Sequence, residues 1–145
     1  MRNSGCGIEK KVFLTVFGWA GVAASDLGVC SVILPQKDKS SVERELSTVD
    51  CADSAGKASA AARLMVTRAI ARLRDYFSGK RVTFDLPLDM RNTTAFQQSV
   101  WKAAAAIPYG ETRSYGWIAK KLGKPRAARA VGQAMGANPL PVIIP

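Results

Sequence analysis

From Thr94 to Gly136 the chain is punctuated by residues that stop helices, and their spacing leaves room for one longer helix and two short ones. Thr94 and Gln97 form a T-x-x-Q capping box, a reciprocal pairing that satisfies the first free backbone donors of a helix. Phe96, Val100, Ala103, Ala104 and Ile107 follow as one apolar stripe at helical spacing. Pro108 cannot continue the hydrogen-bond ladder and Gly110 permits a turn, so residues 109–113 are expected to be a loop. Ser114 then caps a short helix running through Leu122, Gly123 terminates it, and Pro125 starts the next. Two short helices joined by a tight glycine-containing turn, preceded by a longer helix, describe a helix-turn-helix core.

Upstream the grammar is different. Across residues 12–34, β-branched and aromatic residues broken by Gly18, Gly21 and Asp26-Leu27-Gly28 suggest an antiparallel meander of about three strands, with Pro35 ending the last. Residues 36–59 are rich in Lys, Ser, Asp and Gly and read as a surface connection with about one helical turn. Residues 60–77 are a helix, with Val66, Ile70, Leu73 and Phe77 as its buried stripe and Gly79 closing its end. Arg63, Arg68, Arg72 and Arg74 fall largely off that stripe, which fits a solvated face better than a phosphate-binding one. Val82, Phe84 and Leu86 alternate like a strand, and Pro87-Leu88-Asp89-Met90-Arg91-Asn92 reads as a linker. The expected class is α+β, with one domain over 1–88 and a second over 89–145.

The chain has 145 residues, of which 48% are hydrophobic, so it can bury a core and disorder is the wrong default. Its formal charge is +10 with no histidine, an excess that favours a polyanionic partner, nucleic acid first. Residues 1–90 carry 13 basic and 10 acidic side chains, whereas residues 91–145 carry 8 basic ones and only Glu111. That asymmetry suits a DNA-facing module attached to a more neutral companion, although a merely soluble basic surface has the same charge.

Cys6, Cys30 and Cys51 are odd in number and lack paired spacing, which argues against a disulfide framework or a zinc ribbon and for a reducing interior. No metal or cofactor site is assigned. Cys30, on the same alternating face as Val32 and Leu34, reads as a packed core thiol. Lys10-Lys11 ahead of an apolar run has the outline of a signal peptide, but the run suits strand, turn and strand, and no stretch reaches membrane-spanning length. An intracellular, cytoplasmic, DNA-associated location is expected, with no membrane contact.

The second short helix carries the sharpest signal. Ala127, Ala130, Val131 and Ala134 recur at i, i+3, i+4 and i+7 and are expected to face the core. Ala128, Gly132 and Gly136 follow one another at four-residue spacing, leaving a face almost without side chains, with Arg129 beside it. Two helical glycines cost about 1 kcal/mol each relative to alanine, so something should require the bare surface. Helix-on-helix packing would require it. So would the close approach of a duplex, and a guanidinium at the edge has phosphates and base edges as partners only in the second case.

Thr94-Ala95-Phe96-Gln97-Gln98-Ser99-Val100-Trp101, Ile107-Pro108-Tyr109-Gly110-Glu111-Thr112, Ser114-Tyr115, Arg129-Ala130-Val131-Gly132, Asn138-Pro139 and Ile144-Pro145 stand in the order and spacing of the O6-alkylguanine-DNA alkyltransferases, and the chain resembles that family. Gly18-Trp19, Leu27-Gly28 and Leu34-Pro35 extend the likeness more loosely toward the N-terminus. The resemblance implies a ribonuclease H-like N-terminal domain and a winged-helix-like C-terminal one. It implies a double-stranded DNA partner containing O6-alkylguanine (or O4-alkylthymine), a monomer in the complete form, and no cofactor.

By the same resemblance the second short helix enters the minor groove through Ala128, Arg129, Ala130, Gly132, Gln133 and Gly136. Arg129 would fill the space of an extruded base, Tyr115 would crowd the neighbouring phosphate, and Asn138 would hold the turn that supports the active site. The family's acceptor cysteine follows the proline matching Pro145, within a Cys-His-Arg segment, so a chain broken inside a buried strand, unable to transfer alkyl groups and marginal in stability, is expected. A non-reacting sensor of alkylated DNA and a sequence-reading helix-turn-helix regulator are the alternatives.

Overall fold

The computed structural model describes residues 7–50 and 56–145; Cys6 and Cys51 lie outside them. The chain divides into two compact units, Met1–Arg91 and Asn92–Pro145.

The first unit is built on a three-stranded antiparallel meander, β1 (Glu9–Thr15), β2 (Gly18–Ala24) and β3 (Val29–Gln36), in the order β1-β2-β3. Helices α1 (Lys39–Thr48) and α2 (Ala60–Phe77) pack on it. Side chains of successive strand residues alternate between faces. Gly21 of the central strand lies under α1, where an added Cβ would fall within 2.9 Å of Val42 and Leu46 side-chain atoms. Ala20, Val22 and Ala24 turn to the other face and are fully buried. On β1, Phe13 is buried with the Arg74 guanidinium of α2 over its ring.

Three expectations are corrected here. Residues 39–48 form a ten-residue helix rather than one turn: Asp38 accepts from the Ser41 backbone N–H at its N-terminus, and Val42 and Leu46, four residues apart, are its buried contacts. Cys30 is a core thiol, in one cluster with Ala23, Val42 and Leu46, but its apolar companion on β3 is Ile33 rather than Val32, and Leu34 is 48% exposed. The cause is a bulge. Ala23 pairs with Ser31 and Ala24 with Val29, so Cys30 is an extra residue, and one extra residue reverses the alternation. Nor does Pro35 end the strand. It sits inside β3 at a second register shift, on an edge strand, where a missing N–H breaks no ladder bond.

Residues 81–86 do alternate between exposed and half-buried, and Phe84 meets the Tyr76 ring at 6.0 Å, yet among the described residues they join no strand pairing. Only beyond them does the segment reach the sheet: Val29 N–H donates to Pro87 O and Asp89 N–H to Val29 O, both at 2.9 Å. Pro87 to Arg91 is therefore an anchored strap rather than a free linker. Gly28 makes the approach possible, since a Cβ there would stand 2.4 Å from Pro87 O.

Asp89 fixes the strap. Its side chain is 2% exposed, accepts from Ser25 Oγ at 2.6 Å and is gripped by Arg91 through Nε and Nη2. Burial pushes its pKa up, but the hydrogen bonds from Arg91 and Ser25 outweigh burial and hold it below the ordinary carboxylate value. A depressed folded pKa stabilises the fold above the unfolded value and loses that contribution as pH falls through the folded one. Asp89→Asn is accordingly expected to cost about 2 kcal/mol near neutrality. In urea titrations the gap between parent and variant should shrink below about pH 4; a gap that stays constant down to pH 2 would refute this account.

The second unit contains α3 (Ala95–Ala105), α4 (Tyr115–Lys121) and α5 (Ala128–Gly136). The Thr94–Gln97 capping box is formed in both directions. Trp101, which the apolar stripe did not include, is the largest fully buried side chain, and its Nε1 donates to Ala134 O of α5 at 2.9 Å. Among the described residues the strand-type pairing of this unit is one bridge, Pro141 to Ile144, so the apolar run near Pro145 is a turn rather than a strand. Leu140, Ile143 and Ile144 are nevertheless buried.

Candidate nucleic-acid interface

Helix α4 begins at Ser114, whose Oγ accepts from Trp117 N–H at 3.1 Å, and its end is set by Gly123. With φ +72 that glycine lets its N–H reach Lys120 O and the Lys124 N–H reach Ala119 O, a pair of bonds that closes a helix and turns the chain sharply. Pro125 does not begin α5 as expected. Ala127 N–H donates to Lys124 O across a Pro125-Arg126 turn, and the helix starts at Ala128. The proline's fixed φ serves the corner of that turn, the other common use of proline ahead of a helix.

On α5, Val131 and Ala134 are buried and Ala127 is half-buried, but Ala130 is exposed, contrary to the expected core stripe. Helical rotation explains it: Arg129, Ala130, Gln133, Gly136 and Ala137 lie within about one third of a turn and form the exposed face. Ala128 and Gly132 occupy a half-buried shoulder. The row of small residues is thus divided. A Cβ on Gly136 would meet nothing within 4 Å, whereas one on Gly132 would stand 3.2 Å from two ring carbons of Tyr115.

The face has one long cation on it. Among the described residues Arg129 has no hydrogen-bond or ion-pair partner. Lys120, Lys121, Lys124 and Arg126 are exposed on α4 and the α4–α5 turn. The unit's single acidic residue, Glu111, is paired with Arg113, whose guanidinium also lies over Trp117, with Lys121 on the same ring at 4.9 Å. Positive charge with no internal carboxylate left to meet it presents itself to an external polyanion.

Tyr115 is the first residue of α4 and is 51% exposed. Asn138, half-buried just past α5, accepts from Leu140 N–H at 2.9 Å and donates to Ile144 O at 3.0 Å, tying the end of the helix to the buried turn. Val142 inside that turn has φ +76, a region a β-branched residue enters only when its surroundings force it. No residue type in 138–145 signals that strain. Among the described residues no helix is long and apolar enough to cross a membrane, and no three His, Cys, Asp or Glu side chains cluster as metal ligands. Residues 12–24, with their signal-peptide outline, lie in β1, β2 and the turn between them.

Known proteins divide this chain in the same place. Residues 15–90 match the ribonuclease-like domain of 6-O-methylguanine DNA methyltransferase, and residues 95–145 match that family's DNA binding domain. A methylated-DNA–protein-cysteine methyltransferase of Mycobacterium tuberculosis is 57% identical over 77 residues, 53% of this chain and 46% of the relative. The regulatory protein ada of Salmonella typhimurium is 39% identical across 99% of this chain and 40% of its own length. The chain thus spans about half or less of the curated relatives it matches. Among solved structures, the M. tuberculosis O6-methylguanine methyltransferase is similar with TM-score 0.69 and 36% identity, over 95% of this chain and 75% of that one. The M. tuberculosis OGT in complex with DNA gives TM-score 0.69 at 35% identity, over 94% and 74%. With a ribonuclease-like unit, a helix-turn-helix unit and both matches together spanning most of its residues, the chain belongs to the 6-O-methylguanine DNA methyltransferase family.

Proposed function

We propose that this chain is the DNA-docking part of a repair protein that removes alkyl groups from guanine O6 in duplex DNA. The observation that carries this is Arg129, a guanidinium without a partner among the described residues, on a helical face otherwise made of Ala130, Gln133, Gly136 and Ala137. Such a face can lie close to a groove floor, and a narrow groove admits a helix only where side chains are short. Arg129 occupies the space of the lesion base once it has left the stack. Tyr115 meets the phosphate beside it, and Asn138 holds the turn behind α5. Extrusion is needed because O6 of a stacked guanine is walled in by its neighbours, and unstacking costs a few kcal/mol that these contacts return.

The transfer step moves the alkyl carbon from guanine O6 to a thiolate sulfur: a C–S bond forms, the C–O bond breaks with its electron pair staying on O6, and one proton, equivalent to the one the thiol gave up, returns to N1 to restore guanine. A thiol becomes competent by exposure beside a base. Cys30, the cysteine among the described residues, is buried in an apolar cluster, and the chain has no histidine to activate it, Cys6 or Cys51. These 145 residues taken alone therefore bind alkylated duplex without accepting the alkyl group.

The reading is tested by fluorescence anisotropy with a duplex carrying one O6-methylguanine, an unmodified duplex, and a salt series. Binding should weaken steeply with salt, as phosphate contacts require. Arg129→Ala should cost roughly tenfold in affinity for the lesion duplex, and labelled methyl should stay on the DNA. Absence of duplex binding at low salt, or indifference to Arg129→Ala, overturns the docking reading; methyl transfer to this chain overturns the account of the acceptor.

A further inference from the structure

The small residues of α5 do not share one purpose. Gly136 faces open space, so nothing inside the unit forbids a side chain there. Gly132 faces Tyr115: an added Cβ would lie 3.2 Å from both Cδ2 and Cε2 of the ring, closer than such atoms ordinarily approach. One edge of the phenol therefore rests on the α5 backbone at this position. Tyr115 cannot yield by sliding along its helix, because it is the first residue of α4 and the Ser114 cap pins that end through the Trp117 N–H. Tyr115 is 51% exposed, so the ring yields by rotating away from α5 toward solvent.

We infer that Gly132 is a positioning residue for Tyr115: its missing side chain is the seat that sets where the phenol ring lies, and so where its hydroxyl projects from the α4–α5 surface. The duplex does not touch Gly132 in this account. The effect on DNA rests on the docking reading above, whereas the seat itself is a property of the free protein.

The experiment is a double-mutant cycle on the full 145-residue chain, with Gly132→Ala placed in the parent and in Tyr115→Ala, and Gly136→Ala as the companion substitution. The chain has three tyrosines, Tyr76, Tyr109 and Tyr115, so a ring-labelled tyrosine NMR spectrum is simple to assign. In free protein, Gly132→Ala should shift the Tyr115 ring resonances and Gly136→Ala should not. With the O6-methylguanine duplex, Gly132→Ala should weaken binding on the order of tenfold in the parent and leave it unchanged in Tyr115→Ala, the signature of coupled neighbours. A duplex containing 2-aminopurine beside the lesion should lose its extrusion signal in the same pattern. Equal weakening in both backgrounds would mean that Gly132 meets the duplex directly, and overturns the inference. Unmoved Tyr115 resonances overturn it too. Should the parent bind no duplex, the docking reading falls, and the ring shifts in free protein still decide the seat.

Discussion

Trp101→Ala should abolish the folded second unit, and with it every duplex contact. The indole is 1% exposed, and its Nε1 donates to Ala134 O in the last turn of α5, where carbonyls run out of helical partners. Truncation removes a fully buried aromatic and leaves a cavity, at a cost of about 3–5 kcal/mol. It also strands a carbonyl that the indole had satisfied. A unit of this size has total stability of about that amount. Hydrogen exchange is the direct measurement: amides of α3, α4 and α5 should lose protection together. Trp101→Phe keeps most of the volume but loses the hydrogen bond, so it should cost about 1–2 kcal/mol and leave the helices formed. If Trp101→Ala keeps parent-like protection in α5, the indole is not what joins α3 to α5.

Much of the second unit was legible because its boundaries are set by local chemistry. Thr94, Gln97, Ser114 and Gly123 act on backbone groups within a few residues of themselves, and each does what its type suggests. Trp101 shows the limit. The stripe through Phe96, Val100, Ala103 and Ala104 was centred slightly to one side of the true buried face, and the indole needed a carbonyl thirty-three residues away to justify its burial. The same holds for Ala130. Its spacing fits the core stripe of α5 as well as Val131 does, and only the direction from which α3 and α4 pack decides between them.

In the first unit the departures have separate physical causes. Helix α1 buries only Val42 and Leu46, so its apolar signal was too thin against a polar background; the Asp38 cap four residues before Val42 was the available clue. The alternation of residues 81–86 is real, but a strand also needs a partner edge, which alternation does not report. Counting in twos fails for Cys30 and Leu34 because their segment holds two register shifts. A single extra residue reverses all later assignments, and no residue in 29–36 announces it.

Helix α5 is legible in composition but not in orientation. Its small residues and its arginine are visible in sequence, yet Gly132 answers to Tyr115 and Gly136 to nothing within the unit. This difference makes Gly136 the sharper probe of docking. Gly136→Leu places a branched side chain in open space at the end of α5, where the backbone is helical rather than left-handed, so folding should be undisturbed. Leucine's better helix propensity should raise stability by several tenths of a kcal/mol, up to about 1 kcal/mol for a fully helical site. Gly136 is seven residues after Arg129, two turns along the same exposed face, so a helix inserted into a groove must bring both against the duplex. The expected result is a variant at least as stable as the parent whose affinity for the O6-methylguanine duplex falls on the order of a hundredfold, about 2.7 kcal/mol. Ala105→Leu, on an exposed position of α3, should bind like the parent and controls for added apolar surface. Stability and affinity moving in opposite directions cannot come from misfolding. A Gly136→Leu variant that binds as well as the parent would place the duplex elsewhere on the unit.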